Sequence, residues 1–130
     1  MLKDSHAFSG FSVKDQAEAR KFYSEVLGLE VSEDKMGMEI KIAGGNPIFV
    51  YPKDDHKPAT YTILNFPVED IDAVVKELRD KHVTFEHYDM GGGAKTDESG
   101  IMRGLAAGMG PDIAWFKDPS GNILAILQSE

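Results

Sequence analysis

Val13-Lys14-Asp15-Gln16-Ala17, near the start of the chain, and Val68-Glu69-Asp70-Ile71-Asp72-Ala73, near its middle, carry one signal twice. Each joins the end of an apolar strand to an acidic residue placed to cap a helix, followed by the first helical turn. A second pair lies further along. Gly45-Asn46-Pro47-Ile48-Phe49-Val50-Tyr51 opens one apolar strand, and Gly121-Asn122-Ile123-Leu124-Ala125-Ile126-Leu127 opens its twin. Repetition over this length indicates two copies of one supersecondary unit. Asp15 and Asp70 are 55 residues apart, whereas Asn46 and Asn122 are 76 apart. The second copy therefore carries about twenty extra residues. They fall between Asp89 and Asp112, a segment holding seven of the chain's 13 glycines. A loop this long and glycine-rich is either a lid over a pocket or a plain insertion.

Working outward, Ala7 to Val13 alternates as a strand, with Ser9, Phe11 and Val13 on one face and Phe8, Gly10 and Ser12 on the other. Asp15 caps the following helix, with Glu18 placed for a reciprocal cap. Ala19, Phe22, Tyr23, Val26 and Leu27 share its apolar face, and Gly28 ends it. Leu29 to Glu33, Met38 to Ala43 and Asn46 to Tyr51 read as three strands. Pro52 to Ala59, polar and with two prolines, reads as a connector. The pattern then restarts: a strand from Tyr61 to Val68, a helix capped by Asp70 with Ile71, Val74, Val75 and Leu78 inward, and strands at Val83 to Tyr88, Ile113 to Phe116 and Ile123 to Gln128. The expected fold is α+β: two tandem βαβββ units, residues 1–54 and 55–130, with the Gly-rich insertion at about 90–111 in the second.

Composition narrows the function. Apolar residues make up 42% of 130, enough for a packed interior. A net charge of -8 and three scattered arginines argue against nucleic acid as a partner. No apolar run approaches the roughly 20 residues that span a bilayer, so no membrane partner is expected. The first residues lack the apolar core of a signal peptide. With no cysteine, there is neither a disulfide framework nor a thiolate site. A cytoplasmic location is the expectation.

Phe11-x-Val13-x-Asp15, then Phe22-Tyr23 and Leu27-Gly28-Leu29, then Trp115-Phe116-Lys117-Asp118-Pro119-Ser120-Gly121-Asn122 occur in order across nearly the whole chain. Together they resemble the vicinal oxygen chelate superfamily, which includes glyoxalases, bleomycin-resistance proteins and extradiol dioxygenases. The resemblance implies a cup-shaped mixed sheet with the helices outside, holding a small ligand, and a homodimer. Asp118 to Asn122 also has a local reading, a tight turn between two strands.

Catalytic members of that superfamily hold a divalent metal through four side chains, in the first and last strands of each unit. The matching positions here are Phe8, Ile63, Phe49 and Ala125. None has a lone pair to offer a cation, so neither a metal nor another cofactor is expected. The resemblance and the strand alternation together give a lining of Phe8, Phe49, Tyr51, Ile63, Asn65, Trp115 and Ala125, with Arg103 reaching from the insertion to meet an anionic group. Glu39 is the acidic side chain placed nearest this lining. His6 lies on the Phe8 face, His82 at a helix end, and His56 in the connector, where solvent is its expected surrounding. No nucleophile elbow is present, and Gly91-Gly92-Gly93 lacks the Lys-Ser/Thr ending of a phosphate loop.

Three functions fit this pattern. The first is metal-independent binding or sequestration of a small organic molecule, as resistance proteins do. The second is a glyoxalase-type lyase or isomerase, or a dioxygenase, with relocated metal ligands. The third is an interaction domain whose cup is merely filled as core. The residues suit an enzyme and a binder equally.

Overall fold

The computed structural model describes residues 1–130. The chain divides into two compact units, Met1–Pro58 and Ala59–Glu130, and the division falls at the end of the polar connector. No helix is long and apolar enough to cross a membrane.

In the first unit, strand β1 (Gly10–Val13) leads into helix α1 (Gln16–Lys21), then β2 (Val31–Glu33), β3 (Met38–Ile40) and β4 (Ile48–Pro52). The strands form one sheet in the order β1-β4-β3-β2. β1 and β4 run parallel and the other pairs antiparallel. Asp15 caps α1 by accepting from the Glu18 N–H at 3.0 Å. The α-helix then widens into a π-helical turn, Phe22–Val26, with the Leu27 N–H donating to the Phe22 carbonyl at 3.0 Å. That extra residue per turn brings Tyr23 fully inward, packed against Phe11 with ring centroids 5.9 Å apart. The ladder registers put Val13, Val50, Met38 and Ile40 on this same face, all buried. Phe49, Tyr51, Ser12 and Glu39 fall on the opposite, open face. Gly37 is required by space: a Cβ there would lie 2.3 Å from the Val50 carbonyl oxygen.

The second unit repeats the plan with β5 (Thr62–Pro67), α2 (Ile71–Asp80), β6 (Ile101–Arg103), a short α3 (Gly104–Ala107), β7 (Asp112–Lys117) and β8 (Ile123–Gln128). Its sheet order is β5-β8-β7-β6, with β5 parallel to β8. Asp70 caps α2 through the Ala73 N–H at 3.1 Å. Ile71, Val75 and Leu78 bury against β7 and β8, whose Phe116, Leu124 and Ile126 close the core. Two tandem βαβββ units of the α+β class are thus present.

Val83 to Tyr88 is not the continuous strand its alternation suggests. Phe85 makes one isolated bridge to Phe116, and the Glu86 N–H donates to the Trp115 carbonyl at 2.8 Å. The regular pairing on that edge of β7 is made instead by Ile101–Arg103. The two registers locate the extra residues. Val31 opposes Ile40 as Phe85 opposes Phe116, and these equivalents are 54 apart. Glu33 opposes Met38 as Ile101 opposes Ala114, and these are 68 apart. On the next strand the spacing is 76, from Glu39 to Trp115. The inserted residues therefore form two blocks. One interrupts the edge strand between Glu86 and Ile101, and the other enlarges the turn that holds α3.

The two main helices end alike. Gly28 (φ 73°) lets the Leu29 N–H reach back to the Tyr23 carbonyl at 2.9 Å. His82 takes the same left-handed turn (φ 70°), and the Val83 N–H reaches the Leu78 carbonyl at 3.0 Å. A side chain in that conformation is strained by about 1–2 kcal/mol, offset in part by the lower unfolded-state entropy of a non-glycine residue. His82→Gly is expected to stabilise the fold by about 0.5–1 kcal/mol, measured as a higher urea midpoint with an unchanged m value.

Candidate functional site

The open face of the first sheet carries a concavity of about 370 Å3. Phe8, Met36, Pro47 and Phe49 form its apolar wall, and His6 and Glu39 lie at its polar side. The position of Phe8 follows from a tether: the Asn46 side-chain amide donates to the Ala7 carbonyl at 2.8 Å. Phe8 is 66% exposed. Phe49 and Tyr51 stack with centroids 5.6 Å apart. Gly10 stands opposite Phe49 in the ladder, so no side chain from β1 fills the space beside that ring. Tyr51 faces Ser12 across the same ladder, and Ser12 Oγ lies 2.7 Å from His56 Nδ1. His56 is therefore a half-buried member of this face, not a solvated connector residue as expected.

In the second unit the β5-β8-β7 register aligns Asn65, Ala125 and Trp115 across one row of the open face. Ala125 is fully buried between its neighbours. Tyr88 packs edge-on against the Trp115 indole, centroids 5.2 Å apart. Ile63 sits at an irregularity: Thr62 pairs with Ile123 but Leu64 with Leu124, leaving Ile63 as the extra residue of a bulge. Simple alternation along β5 cannot reveal that step.

Arg103 belongs to a different environment from the other candidates. Its strand register, opposite Asp112, puts it toward α2. Its NH1 and NH2 donate to the two oxygens of Asp72 at 2.9 and 2.7 Å, and its Nε donates to Asp97 at 3.0 Å. Asp112 lies 3.8 Å from NH1. The guanidinium is held above its usual range, chiefly by the Asp72 hydrogen bonds. The same bonds hold the Asp72 carboxyl below its ordinary value. Burial alone would raise Asp97, but hydrogen bonds from Ile101 N–H, Arg103 and Ser99 N–H outweigh it and the net shift is downward. Arg103 thus ties the inserted segment to α2. No motif signals this, because Asp72 is 31 residues away in sequence.

Comparison with known proteins decides the family. Residues 6–126 match the family model described as the Glyoxalase/Bleomycin resistance protein/Dioxygenase superfamily. The chain belongs to this superfamily. Similar solved structures include a glyoxalase family protein from Bacillus anthracis, at 18% identity and a TM-score of 0.67 with both chains covered completely. TnmS3, an antibiotic binding protein from Streptomyces sp. CB03234, is 22% identical with a TM-score of 0.64, over 95% of this chain and 96% of that one. The fosfomycin resistance protein FosX from Listeria monocytogenes is 14% identical with a TM-score of 0.66, over 95% and 92%. At these identities the likeness is one of fold. No curated protein sequence matches the chain.

Membership raises the question of the metal that catalytic members carry. The four positions matching their ligands hold Phe8, Phe49, Ile63 and Ala125, which are hydrocarbon, and no group of three or more His, Asp and Glu side chains is arranged to hold an ion. The residues present do not fit the metal.

Proposed function

We propose that this superfamily member binds a small, largely apolar organic molecule on the open faces of its sheets without a metal, in the manner of a sequestering or resistance protein. The observation carrying this reading is the set of four hydrocarbon side chains where catalytic relatives place metal ligands, with Phe8 and Phe49 on the wall of a concavity. Aromatic and aliphatic walls with a few polar groups suit such a ligand: burial supplies the affinity, and His6, Glu39 and Tyr51 fix its orientation. The antibiotic binding protein among the similar structures makes binding of a small organic molecule the natural comparison. The same reading has the chain act as a homodimer, which light scattering tests.

The reading is tested with uncharged bicyclic aromatics such as 2-naphthylmethanol, by thermal shift and then by calorimetry. Binding to the folded state alone raises the melting temperature. Phe49→Ala is expected to weaken such a probe by about tenfold to fiftyfold, the loss from removing one aromatic wall. An unchanged affinity would show that the ligand lies elsewhere.

A further inference from the structure

One row of the first sheet's open face runs Gly10, Phe49, Glu39, Ser32 across β1, β4, β3 and β2. In side-chain terms the row is a gap, a ring, a carboxylate and a hydroxyl. Directly opposed residues of a ladder have Cβ atoms about 4.5–5.5 Å apart, so Glu39 stands beside the Phe49 ring. Stacking on Tyr51 fixes that ring, which still lines the concavity. The turn from Asp34 to Gly37 supplies a second carboxylate. It is closed by the Asp34 N–H donating to the Gly37 carbonyl at 2.9 Å. Asp34 Oδ1 in turn accepts from the Met36 and Gly37 N–H groups at 2.8 and 3.1 Å. The turn packs over the ring edge, since a Cβ on Gly37 would lie 3.2 Å from Phe49 Cε1. Asp34, Met36 and Glu39 thus all line the concavity together with Phe8 and Phe49.

No lysine or arginine belongs to this lining. With His6 neutral, Asp34 and Glu39 give it two negative charges and no positive one. Neither carboxylate has a cationic partner: Asp34 accepts from backbone N–H groups, and Glu39 is exposed and in no ion pair. The basic side chains of the neighbouring elements are spent elsewhere. Lys41 pairs with Glu30 at 3.5 Å, and Arg20 with Glu33 at 3.0 Å. Lys35 sits in the Asp34 turn but is not part of the lining. An anion entering the concavity therefore meets like charge. A cation meets two carboxylates and the faces of two aromatic rings, while Met36 and Pro47 cover its apolar body. We propose that the concavity of the first unit selects an organic cation, an aromatic body bearing a protonated amine, with Glu39 as the counter-ion that sets the preference. The proposal rests on the small-molecule reading above and names the ligand class of that same site.

The test compares three matched probes by calorimetry near neutral pH: 2-naphthylmethylammonium, 2-naphthylmethanol and 2-naphthoate. The ammonium is expected to bind several-fold tighter than the alcohol and at least about tenfold tighter than the carboxylate. Glu39→Gln keeps the shape of the side chain and removes its charge. It should cut the ammonium's advantage over the alcohol to about twofold or less, the residue of Asp34 and the rings. Alcohol binding should be unchanged in this variant, which also shows that the sheet is intact. Phe49→Ala should weaken the ammonium and the alcohol alike. Equal affinities for the ammonium and the alcohol in the wild type, or tighter binding of 2-naphthoate, overturn the cation preference. If the alcohol still binds in a Phe49-dependent way, the small-molecule reading survives that result. An ammonium advantage that persists in Glu39→Gln overturns the role given to Glu39. Failure of all three probes to bind overturns both this inference and the reading beneath it.

Discussion

Asp118→Ala is expected to lower the stability of the chain by about 3 kcal/mol, the largest effect of any single side chain outside the apolar core. Asp118 opens the Asp-Pro-Ser-Gly-Asn turn between β7 and β8 and is 4% exposed. Its Oδ1 accepts from the Ser120 and Asn122 N–H groups, each at 2.9 Å, and its Oδ2 accepts from the Asn122 side-chain amide, also at 2.9 Å. Alanine leaves these three donors without that acceptor in a site with little access to water, and each such loss costs about 1–3 kcal/mol before partial relaxation. The turn also sets the register of the two central strands, so no other segment can take over its role. Asp118→Asn separates the contributions. Its remaining carbonyl can still accept from both backbone groups, while its amide opposes that of Asn122, so a loss of about 1 kcal/mol is expected. Thermal unfolding should show a drop of roughly 10 °C for alanine and a much smaller one for asparagine. Equal losses for the two would mean that the Asn122 contact, not the backbone pair, dominates the turn.

Arg103→Ala is the second large effect. It removes a bidentate pair to Asp72 and the Nε bond to Asp97, and leaves these carboxylates and Asp112 close together with no compensating charge. Arg103 is 38% exposed at its side chain and Asp72 62%, so solvent screens the pair and a loss of about 2 kcal/mol is expected rather than the larger figure of a buried network. The pH dependence identifies the cause. Asp72 and Asp97 both have folded-state values below the ordinary carboxylate value of 3.8. Their contribution is therefore fully present above that value and is lost as pH falls through the lower folded-state values. Urea titrations at a series of pH values should show a constant gap between wild type and Arg103→Ala from about pH 5 to 8, closing below about pH 4. A gap that persists unchanged in acid would assign the loss to packing of the Arg103 stem instead.

The parts of this molecule legible in its sequence are those whose chemistry is local. Asp15 and Asp70 cap their helices through a carboxylate three residues from its donor, and Gly28 turns left-handed because the chain must reverse there. The alternation of Phe11 and Val13 against Gly10 and Ser12 sorts the two faces of β1 correctly, and Glu39 falls on the open face beside Phe49. The features that periodicity does not reveal depend on distant partners. Val83 to Tyr88 alternates like a strand, but the insertion leaves after Glu86 and the ladder resumes at Ile101. A strand of three residues, Ile101–Arg103, is too short to declare a period. The bulge at Ile63 and the π-helical turn at Phe22–Val26 are each an extra residue accommodated by tertiary packing, which periodicity cannot see. The sequence alone leaves His56 to solvent and Arg103 to an anionic ligand, because their partners, Ser12 and Asp72, lie far off in the chain.

The measurement that bears most directly on a metal-independent site combines elemental analysis with binding. Protein purified without chelators is assayed for nickel, zinc, iron and manganese, then titrated with 2-naphthylmethanol before and after dialysis against EDTA. Phe8, Phe49, Ile63 and Ala125 offer no donor atoms, so only trace metal and the same affinity in both titrations are expected. A stoichiometric ion whose removal abolishes binding would contradict the account.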